Sequence, residues 1–461
     1  MATEALALSG GKPVRTTPFP RRAPFGEREI ELVTQAIRSQ DLFCHSGTMC
    51  KELELRFARF YGASHAVASS SGTAAIHIAL GALNPSPGDE IITAPITDAG
   101  TIVPILYQGA IPVFAEVDST YCMDPEDVER KITSRTRAIL VVHLFGNPCD
   151  MDAMVDIARR RKVALIEDCS QAHCTSYKGK LLGQFGDIAA FSLQQSKHMT
   201  TGDGGMTITS RADLERRMML FADKGWARRP GFGARIYELL APNYRMTELQ
   251  GAVGLAQLDK VRGVVERRNE LGTLLTRLIS GAQGLRPAPL TPGGKHSYWL
   301  YALGMESFDA TDFAKALSAE GVSCGAHYIG KPIFLCHEAV RDQRLYGDSH
   351  YPFDHPNTRP GIKYDDTTCP ITQRVLDRMV LTQVSQFLGV SDSFLAVLDA
   401  SILDYLELDN IDADILLLLH RFPLFVSHFL FKFTFKSSFL TLPIKSFIIN
   451  FPAAGSIYGH T

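Results

Sequence analysis

A lysine in a loop rich in glycine and hydroxyl groups has the most distinctive chemical setting in this sequence. Residues 191–210 read FSLQQSKHMTTGDGGMTITS, and Lys197 lies there between two apolar segments typical of β-strands. Glycines let the backbone approach a bulky ligand closely. An amine in such a pocket can form a Schiff base with an aldehyde cofactor. A loop lysine is more commonly an ordinary solvated charge, so this interpretation needs support from other residues.

An acidic pair ends another predicted strand. Residues 163–179 read VALIEDCSQAHCTSYKG, so Glu167 and Asp168 close an apolar segment. Ligands of α/β sheets bind beyond the carboxyl ends of the strands. Gln171 and His173 follow closely enough to face the same crevice. The alternative is that the carboxylate only caps the following turn.

A third segment has the pattern of a phosphate-binding helix start. Residues 67–80 read VASSSGTAAIHIAL, in which a predicted strand leads through serines, a glycine and a threonine into a predicted helix. The backbone N–H groups at a helix N-terminus bind phosphate well. The dinucleotide pattern GxGxxG and the Walker pattern GxxxxGK[ST] do not occur in this segment.

Together the three segments predict a pyridoxal phosphate site. That cofactor needs a lysine for its aldehyde, an acidic partner for its ring nitrogen and a place for its phosphate. The acidic partner keeps the ring nitrogen protonated, so that the ring can accept electrons. We take Lys197 and Asp168 as the first two of these groups.

The elements that must position these residues alternate between strand-length and helix-length segments from about residue 25 to 220. This alternation predicts an α/β domain with a mostly parallel sheet. Residues 139–142 read ILVV, as expected for a strand that is covered on both faces. The predicted strands are 90–94, 111–117, 138–144, 163–168, 188–193 and 205–209. The predicted helices are 73–83, 124–132, 151–162, 212–221 and 246–279.

A second, smaller domain is predicted further along the chain. The segment GAQGLRPAPLTPGGK follows the last predicted helix and is typical of a domain boundary. The predicted organisation is an N-terminal segment at 1–25, a large cofactor-binding domain at 26–280, a small C-terminal α/β domain at 281–395 and a hydrophobic tail at 396–461.

Composition excludes several other classes of function. The 461 residues include 47 Lys plus Arg and 49 Asp plus Glu, a net charge of −2, so no basic surface for nucleic acid is expected. The nine cysteines form no CxxC pair, which argues against a zinc site, and no metal is expected. Their scattered spacing and the lack of a signal-peptide pattern favour a reducing cytoplasm.

The hydrophobic tail differs from the rest of the chain. Nine of the 26 phenylalanines lie between Phe422 and Phe451, but Arg and Lys residues interrupt the run. A spanning helix needs about 20 mostly apolar residues, so no stable membrane insertion is expected. The tail is interpreted either as a non-native extension or as a segment that binds a membrane surface or a partner.

The sequence resembles the fold-type-I, pyridoxal-phosphate-dependent aminotransferases of the DegT/StrS sugar-aminotransferase type. The resemblance extends from about residue 8 to about residue 380. It is carried in order by the blocks SGGKPVRT, SGTAAIHIAL, PGDEIITAP, GAIPVFAEVD, IEDCSQAH, GDIAAFSLQQSKHMTTGDGGM and NYRMTELQGAVGLAQLDKV. It implies a large domain with a mostly parallel seven-stranded sheet flanked by helices, and a smaller C-terminal α/β domain.

The resemblance also implies a role for individual residues. Lys197 would be the Schiff-base lysine and proton shuttle, Asp168 would pair with the pyridinium nitrogen, and Gln171 would reach the ring's phenolic oxygen. The phosphate would be held by Gly72, Thr73, Ser192 and, from the neighbouring subunit, Asn243. The active unit would therefore be a homodimer.

Two features depart from the family pattern. The family usually has an aromatic ring that stacks on the cofactor after the Thr of one block, but this chain reads APITDAGT and places Asp98 there. The resemblance also fades near residue 382, before the hydrophobic tail. The residue that stacks on the cofactor is therefore not identified by the sequence.

The implied activity is transfer of an amino group from glutamate or glutamine to a ketone. The ketone is either a nucleotide-linked keto sugar or a ketocyclitol. One alternative is a sugar dehydratase on the same fold, in which the lysine is commonly replaced by His. Another is a non-catalytic or defective member of the family that binds the cofactor. The sequence also has a basic segment with two interpretations. It either binds a nucleotide diphosphate or a donor carboxylate, or it forms a solvated loop. Its residues are Lys224, Trp226, Arg228, Arg229 and Arg235.

Overall fold

A seven-stranded sheet organises the fold. In a computed structural model, the structure describes residues 6–19, 21–228 and 233–384. The strands are β1 (His65–Ser69), β2 (Glu90–Thr93), β3 (Ile111–Phe114), β4 (Thr136–Val142), β5 (Ala164–Asp168), β6 (Ser176–Tyr177), β7 (Lys180–Leu181), β8 (Ile188–Ser192), β9 (Gly205–Thr209), β10 (Leu285–Arg286), β11 (Gly294–Lys295), β12 (Tyr301–Met305), β13 (Cys324–Ala326) and β14 (Met379–Thr382).

The described α-helices are α1 (Glu27–Arg38), α2 (Met49–Tyr61), α3 (Gly72–Leu83), α4 (Ala99–Tyr107), α5 (Pro125–Lys131), α6 (Met151–Arg161), α7 (Ala212–Ala222), α8 (Glu248–Ile279), α9 (Ala310–Ala319), α10 (Ile333–Cys336), α11 (Glu338–Arg341) and α12 (Pro370–Asp377). Two short 3-10 helices lie at Ala7–Ser9 and Leu144–Gly146. Within the described parts of the chain, no helix combines the length and apolar character needed to cross a bilayer.

The seven-stranded sheet has the order β1-β9-β8-β5-β4-β2-β3. All its neighbouring strands are parallel except at β9, which runs antiparallel to β8 and β1. The prediction of an α/β fold with a mostly parallel sheet is confirmed. The carboxyl ends of β5 and β8 therefore meet at one edge of the sheet, and this edge carries Asp168 and Ser192.

Helices cover both faces of the sheet. Ile139 and Val141 of β4 belong to a core that includes side chains of α2 and α8. The alternate residues Ala138 and Leu140 belong to a second core with α3 and α7. Successive side chains of a strand point to opposite faces. The continuous apolar run in β4 therefore reflects burial on both sides, as the sequence predicted.

A second sheet forms in the later part of the chain. It has the order β10-β12-β14-β13 and shares a separate hydrophobic core with α9. The strands β10 and β11 lie within the segment that the sequence marks as a boundary, and β11 pairs with β6. The domain bounds given above stay predictions, and the whole predicted tail, 396–461, lies outside the described residues.

One helix near the sheet edge was absent from the sequence prediction. The α4 segment reads AGTIVPILY, is apolar on all sides and contains Pro104. It therefore lacks the 3.6-residue alternation that identifies an amphipathic helix.

The predicted strand at 111–117 is also too long, since β3 ends at Phe114. Asp127 accepts a hydrogen bond from the Glu116 N–H just beyond that end.

We expect Glu116 to stabilise the fold by holding the start of α12. Its buried carboxylate accepts hydrogen bonds from the N–H groups of Ile371 and Thr372 at 2.8 and 2.9 Å. Glu116→Ala should lower the free energy of unfolding by about 1–3 kcal/mol, because these donors lose their acceptor. Denaturant unfolding measures the change. The matched control is Glu126→Ala at an exposed site, and equal losses in both variants would contradict the prediction.

Candidate active site

A buried carboxylate lies at the carboxyl edge of the seven-stranded sheet. Asp168 is the last residue of β5 and is 3% exposed. Its Oδ2 accepts a hydrogen bond from the Thr101 hydroxyl at 2.9 Å, and its Oδ1 accepts one from the Ser170 N–H at 3.0 Å. Thr101 in turn lies 2.7 Å from the Thr97 hydroxyl. These contacts hold the carboxylate in one orientation.

The neighbouring carboxylate, that of Glu167, forms its hydrogen bonds within the protein interior instead. Glu167 is fully buried and accepts hydrogen bonds from the N–H groups of Gly183, Phe185 and Gly186. Burial alone would raise the pKa of Glu167, but the bond to His143 and those amides hold it below its usual value. Of the acidic pair, only Asp168 therefore contacts the α4 residues at the predicted site.

Lys197 lies between β8 and β9 in the loop expected from the sequence. Its side chain is half-buried, and its Nζ lies 3.8 Å from the centre of the Trp299 ring. Burial lowers the pKa of Lys197 to about 8, although the negative charges of Asp168 and Asp98 oppose the shift. Roughly a tenth of this amine is therefore uncharged at pH 7, far more than for a lysine in water, and the uncharged amine is the form that attacks an aldehyde.

Two residues outside the sequence prediction hold this loop. The Arg22 guanidinium donates to the carbonyls of Gln195 and Lys197, both at 2.6 Å. The Trp299 Nε1 donates to the Ser196 carbonyl at 3.0 Å. Neither residue is near Lys197 in the sequence, so no local pattern could have identified them.

The start of α3 packs against the end of β8. A Cβ atom added to Gly72 would lie 2.6 Å from the Ser192 Cβ, and one added to Gly100 would lie 2.5 Å from the Thr73 Oγ1. Glycine at both positions keeps this corner open. In the described chain, no group accepts a hydrogen bond from the N–H of Gly72 or Thr73. Free N–H groups and hydroxyls fit a phosphate, so the residues match this part of the predicted cofactor.

Gln171 and a tyrosine from beyond β13 complete the site. The Gln171 Oε1 accepts a hydrogen bond from the Phe145 N–H at 2.8 Å. Burial raises the pKa of Tyr328 to about 12, while a hydrogen bond to Gln171 opposes the shift. The Tyr328 ring also packs edge-on against Phe145, with centres 4.9 Å apart. Tyr328 was not predicted, because a distant loop brings it to the site.

His173 does not face the crevice. It is fully buried, its Nε2 lies 2.9 Å from the Ser192 carbonyl oxygen, and its Nδ1 lies 3.2 Å from the Tyr61 hydroxyl. Burial lowers its pKa to about 4. It therefore supports the end of β8 from the interior rather than contacting a ligand.

Asn243 is exposed, and its Oδ1 accepts a hydrogen bond from the Arg245 N–H at 3.4 Å. No hydrogen bond among the described residues joins it to the Lys197 loop. Its assignment to a neighbouring subunit's site stays a prediction.

The basic loop after α7 is stacked on aromatic rings. The Arg228 guanidinium lies 3.8 Å from the centre of the Trp226 ring and bonds to Asp223, and Arg235 lies 4.8 Å from the same ring. Arg229 lies outside the described residues. The two interpretations of this loop, anion binding and a solvated loop, both stay predictions.

Comparisons with known proteins find a family and named relatives that resemble this chain. The model of the DegT/DnrJ/EryC1/StrS aminotransferase family matches residues 24–355. A Micromonospora echinospora protein, provisionally named L-glutamine:3-amino-2,3-dideoxy-scyllo-inosose aminotransferase, is 36% identical over 331 residues, 69% of this chain and 78% of that protein. GDP-perosamine synthase of Escherichia coli O157:H7 is 35% identical over 277 residues, 60% of this chain and 74% of that protein.

A solved structure has the same fold. The X-ray structure of an aminotransferase from Psychrobacter cryohalolentis superposes with a TM-score of 0.71 at 27% sequence identity. The match covers 84% of this chain and 98% of that one. The two chains therefore share the fold over most of their length.

We expect the Thr101 hydroxyl to fix the Asp168 carboxylate. Thr101→Val should lower the free energy of unfolding by about 1–3 kcal/mol and weaken pyridoxal phosphate binding, because a buried carboxylate oxygen loses its donor. Thr101→Ser keeps the hydroxyl and should remain close to wild type in both. Denaturant unfolding and equilibrium cofactor titration measure the two effects. If the serine variant behaves like the valine variant, the hydroxyl is not the important group.

Proposed function

The chain belongs to the DegT/DnrJ/EryC1/StrS aminotransferase family, and from that premise we propose that it aminates the ketone of a keto sugar or ketocyclitol. It is a pyridoxal-phosphate-dependent aminotransferase. The proposed donor is glutamate or glutamine, and the proposed acceptor includes nucleotide-linked keto sugars. The observation that carries the proposal is the Lys197 amine, held half-buried with a lowered pKa near the Asp168 carboxylate.

Each group of the site has one task. When bound, pyridoxal phosphate supplies an aldehyde that condenses with amines and a ring that accepts electrons from the adjacent carbon. The N–H groups at the start of α3 and the Thr73 and Ser192 hydroxyls would hold its phosphate. Asp168 would keep a proton on its ring nitrogen, and Gln171 would orient its phenolic oxygen.

Lys197 moves the proton in the reaction. As an uncharged amine, its Nζ would take the proton from the substrate Cα and deliver it to the carbon that comes from the cofactor's aldehyde. General-base catalysis works best when the pKa of the base is close to the working pH. A lysine in water has a pKa of about 10.4, so the lowered pKa of Lys197 makes it a more useful base near neutral pH.

The acceptor class rests on the named relatives. One relative is named for an amino-substituted cyclitol ketone and another for a GDP-linked sugar. The dehydratase alternative is disfavoured, because this chain keeps the lysine that the alternative lacks.

All nine cysteines are free thiols, which supports our proposal of a reducing cytoplasm.

We expect cofactor capture to depend on pH through the Lys197 amine. The lowered pKa means that the rate of reaction with pyridoxal phosphate should rise as pH increases and level off above about 8. An ordinary lysine would give a rise that continues towards a pH of about 10.4. The visible absorbance of the lysine-bound cofactor measures the rate in cofactor-free protein, and a rise continuing past pH 9 would contradict the shifted pKa.

The matched variant in the same assay is Lys197→Ala. It should not develop this absorbance, and it should lose amino transfer by more than the factor of about 10²–10⁴ that general-base catalysis supplies. Retention of near-normal transfer would show that another residue is the catalytic amine.

We further propose a homodimer in which Asn243 completes the phosphate site of the partner subunit. Its exposed position is compatible with that role. Inactive Lys197→Ala and Asn243→Ala proteins, unfolded and refolded together, should regain part of the activity, since a mixed dimer contains one unaltered site. Native mass spectrometry verifies that mixed dimers formed. Mixed dimers without recovered activity would argue against a shared site.

A further inference from the structure

A second carboxylate lies on the open side of the site. Asp98 directly follows Thr97, whose hydroxyl bonds to Thr101, the donor to Asp168. The backbone at Asp98 is therefore tied to the hydrogen-bond network of the buried carboxylate. Unlike Asp168, Asp98 is exposed. It can reach a molecule that enters the site.

The contacts of Asp98 place it beside the phosphate corner and the lysine. Its Oδ1 accepts a hydrogen bond from the Gly100 N–H at 2.8 Å. A Cβ atom on Gly100 would lie 3.0 Å from that Oδ1 and 2.5 Å from the Thr73 Oγ1. The charge of Asp98 also raises the pKa of Lys197, against the lowering by burial. It raises the pKa of Tyr328 as well, in the same direction as burial and against the hydrogen bond to Gln171.

The helix does not need this negative charge. Asp98 precedes α4 and caps it through Oδ1 alone, and the neutral residues Asn and Ser cap helices as well as Asp does. In the described parts of the chain, the other oxygen, Oδ2, receives no hydrogen bond, and no Lys, Arg or His forms an ion pair with Asp98. Cofactor binding would engage Lys197 and add a phosphate, so the site would gain negative charge.

We propose that Asp98 selects the acceptor: a ketone whose ring also carries a protonated amine, with that ammonium group bound at Oδ2. This inference rests on the proposed function. An ammonium group is attracted to an unpaired carboxylate, whereas a hydroxyl in its place is not charged. A ring with an added anionic group near the same position is repelled. Asp98 thereby acts as a specificity-determining residue at a position where the family usually has an aromatic side chain.

The test compares two ketones that differ in one group. The probes are 3-amino-2,3-dideoxy-scyllo-inosose and the same ketone with a hydroxyl in place of the amine. The loaded wild-type enzyme should have a kcat/KM for the amino ketone that is higher by about tenfold or more, as a charge-assisted hydrogen bond provides. Asp98→Asn keeps the cap but removes the charge, and it should bring the two values within about threefold of each other, mainly by lowering the value for the amino ketone.

Two controls separate selectivity from folding and from the donor. Asp309→Asn removes the charge of another capping aspartate, at the start of α9, and should leave the ratio and the melting temperature unchanged. The half-reaction with glutamine or glutamate, followed by cofactor absorbance, should be no slower in Asp98→Asn than in wild type, because losing the Asp98 charge can only lower the pKa of Lys197 further. A slowed donor half-reaction would overturn the inference, because Asp98 would then serve the donor.

The remaining outcomes are also decisive. Equal use of the two ketones by wild type, or an unchanged ratio in Asp98→Asn, would overturn the role of Asp98 while leaving the proposed function intact. Failure of wild type to aminate either ketone, with an intact donor half-reaction, would overturn the proposed acceptor class and this inference with it. Failure of both half-reactions would instead overturn the assignment as an aminotransferase.

Discussion

The site depends on the need to satisfy two adjacent buried carboxylates at the end of β5. Glu167 and Asp168 follow one another on a strand, so their side chains point to opposite faces. A buried charge without hydrogen bonds is costly, and each carboxylate therefore requires its own set of donors. Glu167 takes backbone N–H groups from residues 183–186, just before β8. Asp168 takes the Thr101 hydroxyl and thereby fixes α4 against the sheet edge. The end of β5 thus positions both the segment that leads into β8 and the helix α4 beside the site.

A second constraint is the environment of Lys197. Its amine has a lowered pKa only while its surroundings stay largely dry, since water would stabilise the ammonium form. The chain achieves this by holding the Lys197 loop from outside. Arg22 donates to its carbonyl groups, and Trp299 contacts both its backbone and the Lys197 amine. Arg22 precedes the large sheet in the chain and Trp299 precedes β12 in the four-stranded sheet. The reactivity of one residue therefore depends on distant parts of the fold.

The sequence predicted those features of the fold and site that short segments encode. The apolar run of β4, the helix start after Ser71 and the acidic end of β5 are each visible within about ten residues, and the structure confirms these elements. The helix α4 was missed because it is apolar on all sides. Thr101 was missed with it, since its contact with Asp168 requires the helix to be known. Trp299, Arg22 and Tyr328 approach from remote segments, so only the tertiary fold brings them to the site. His173 faces the interior because its ring nitrogens are used by Tyr61 and the end of β8.

The position of Asp98 follows from the same geometry. Thr101, which donates to Asp168, lies in the first turn of α4, and Asp98 is the residue that precedes this helix. The Gly100 N–H in that first turn has no earlier carbonyl of the helix to bond to, so a side chain with an acceptor at residue 98 is favoured. An aromatic ring there would offer no such acceptor. The cap explains why residue 98 is polar in this chain, but any of several neutral residues would satisfy it. The fold does not require the negative charge of Asp98. The charge is therefore the property of this residue that can serve recognition of a bound substrate.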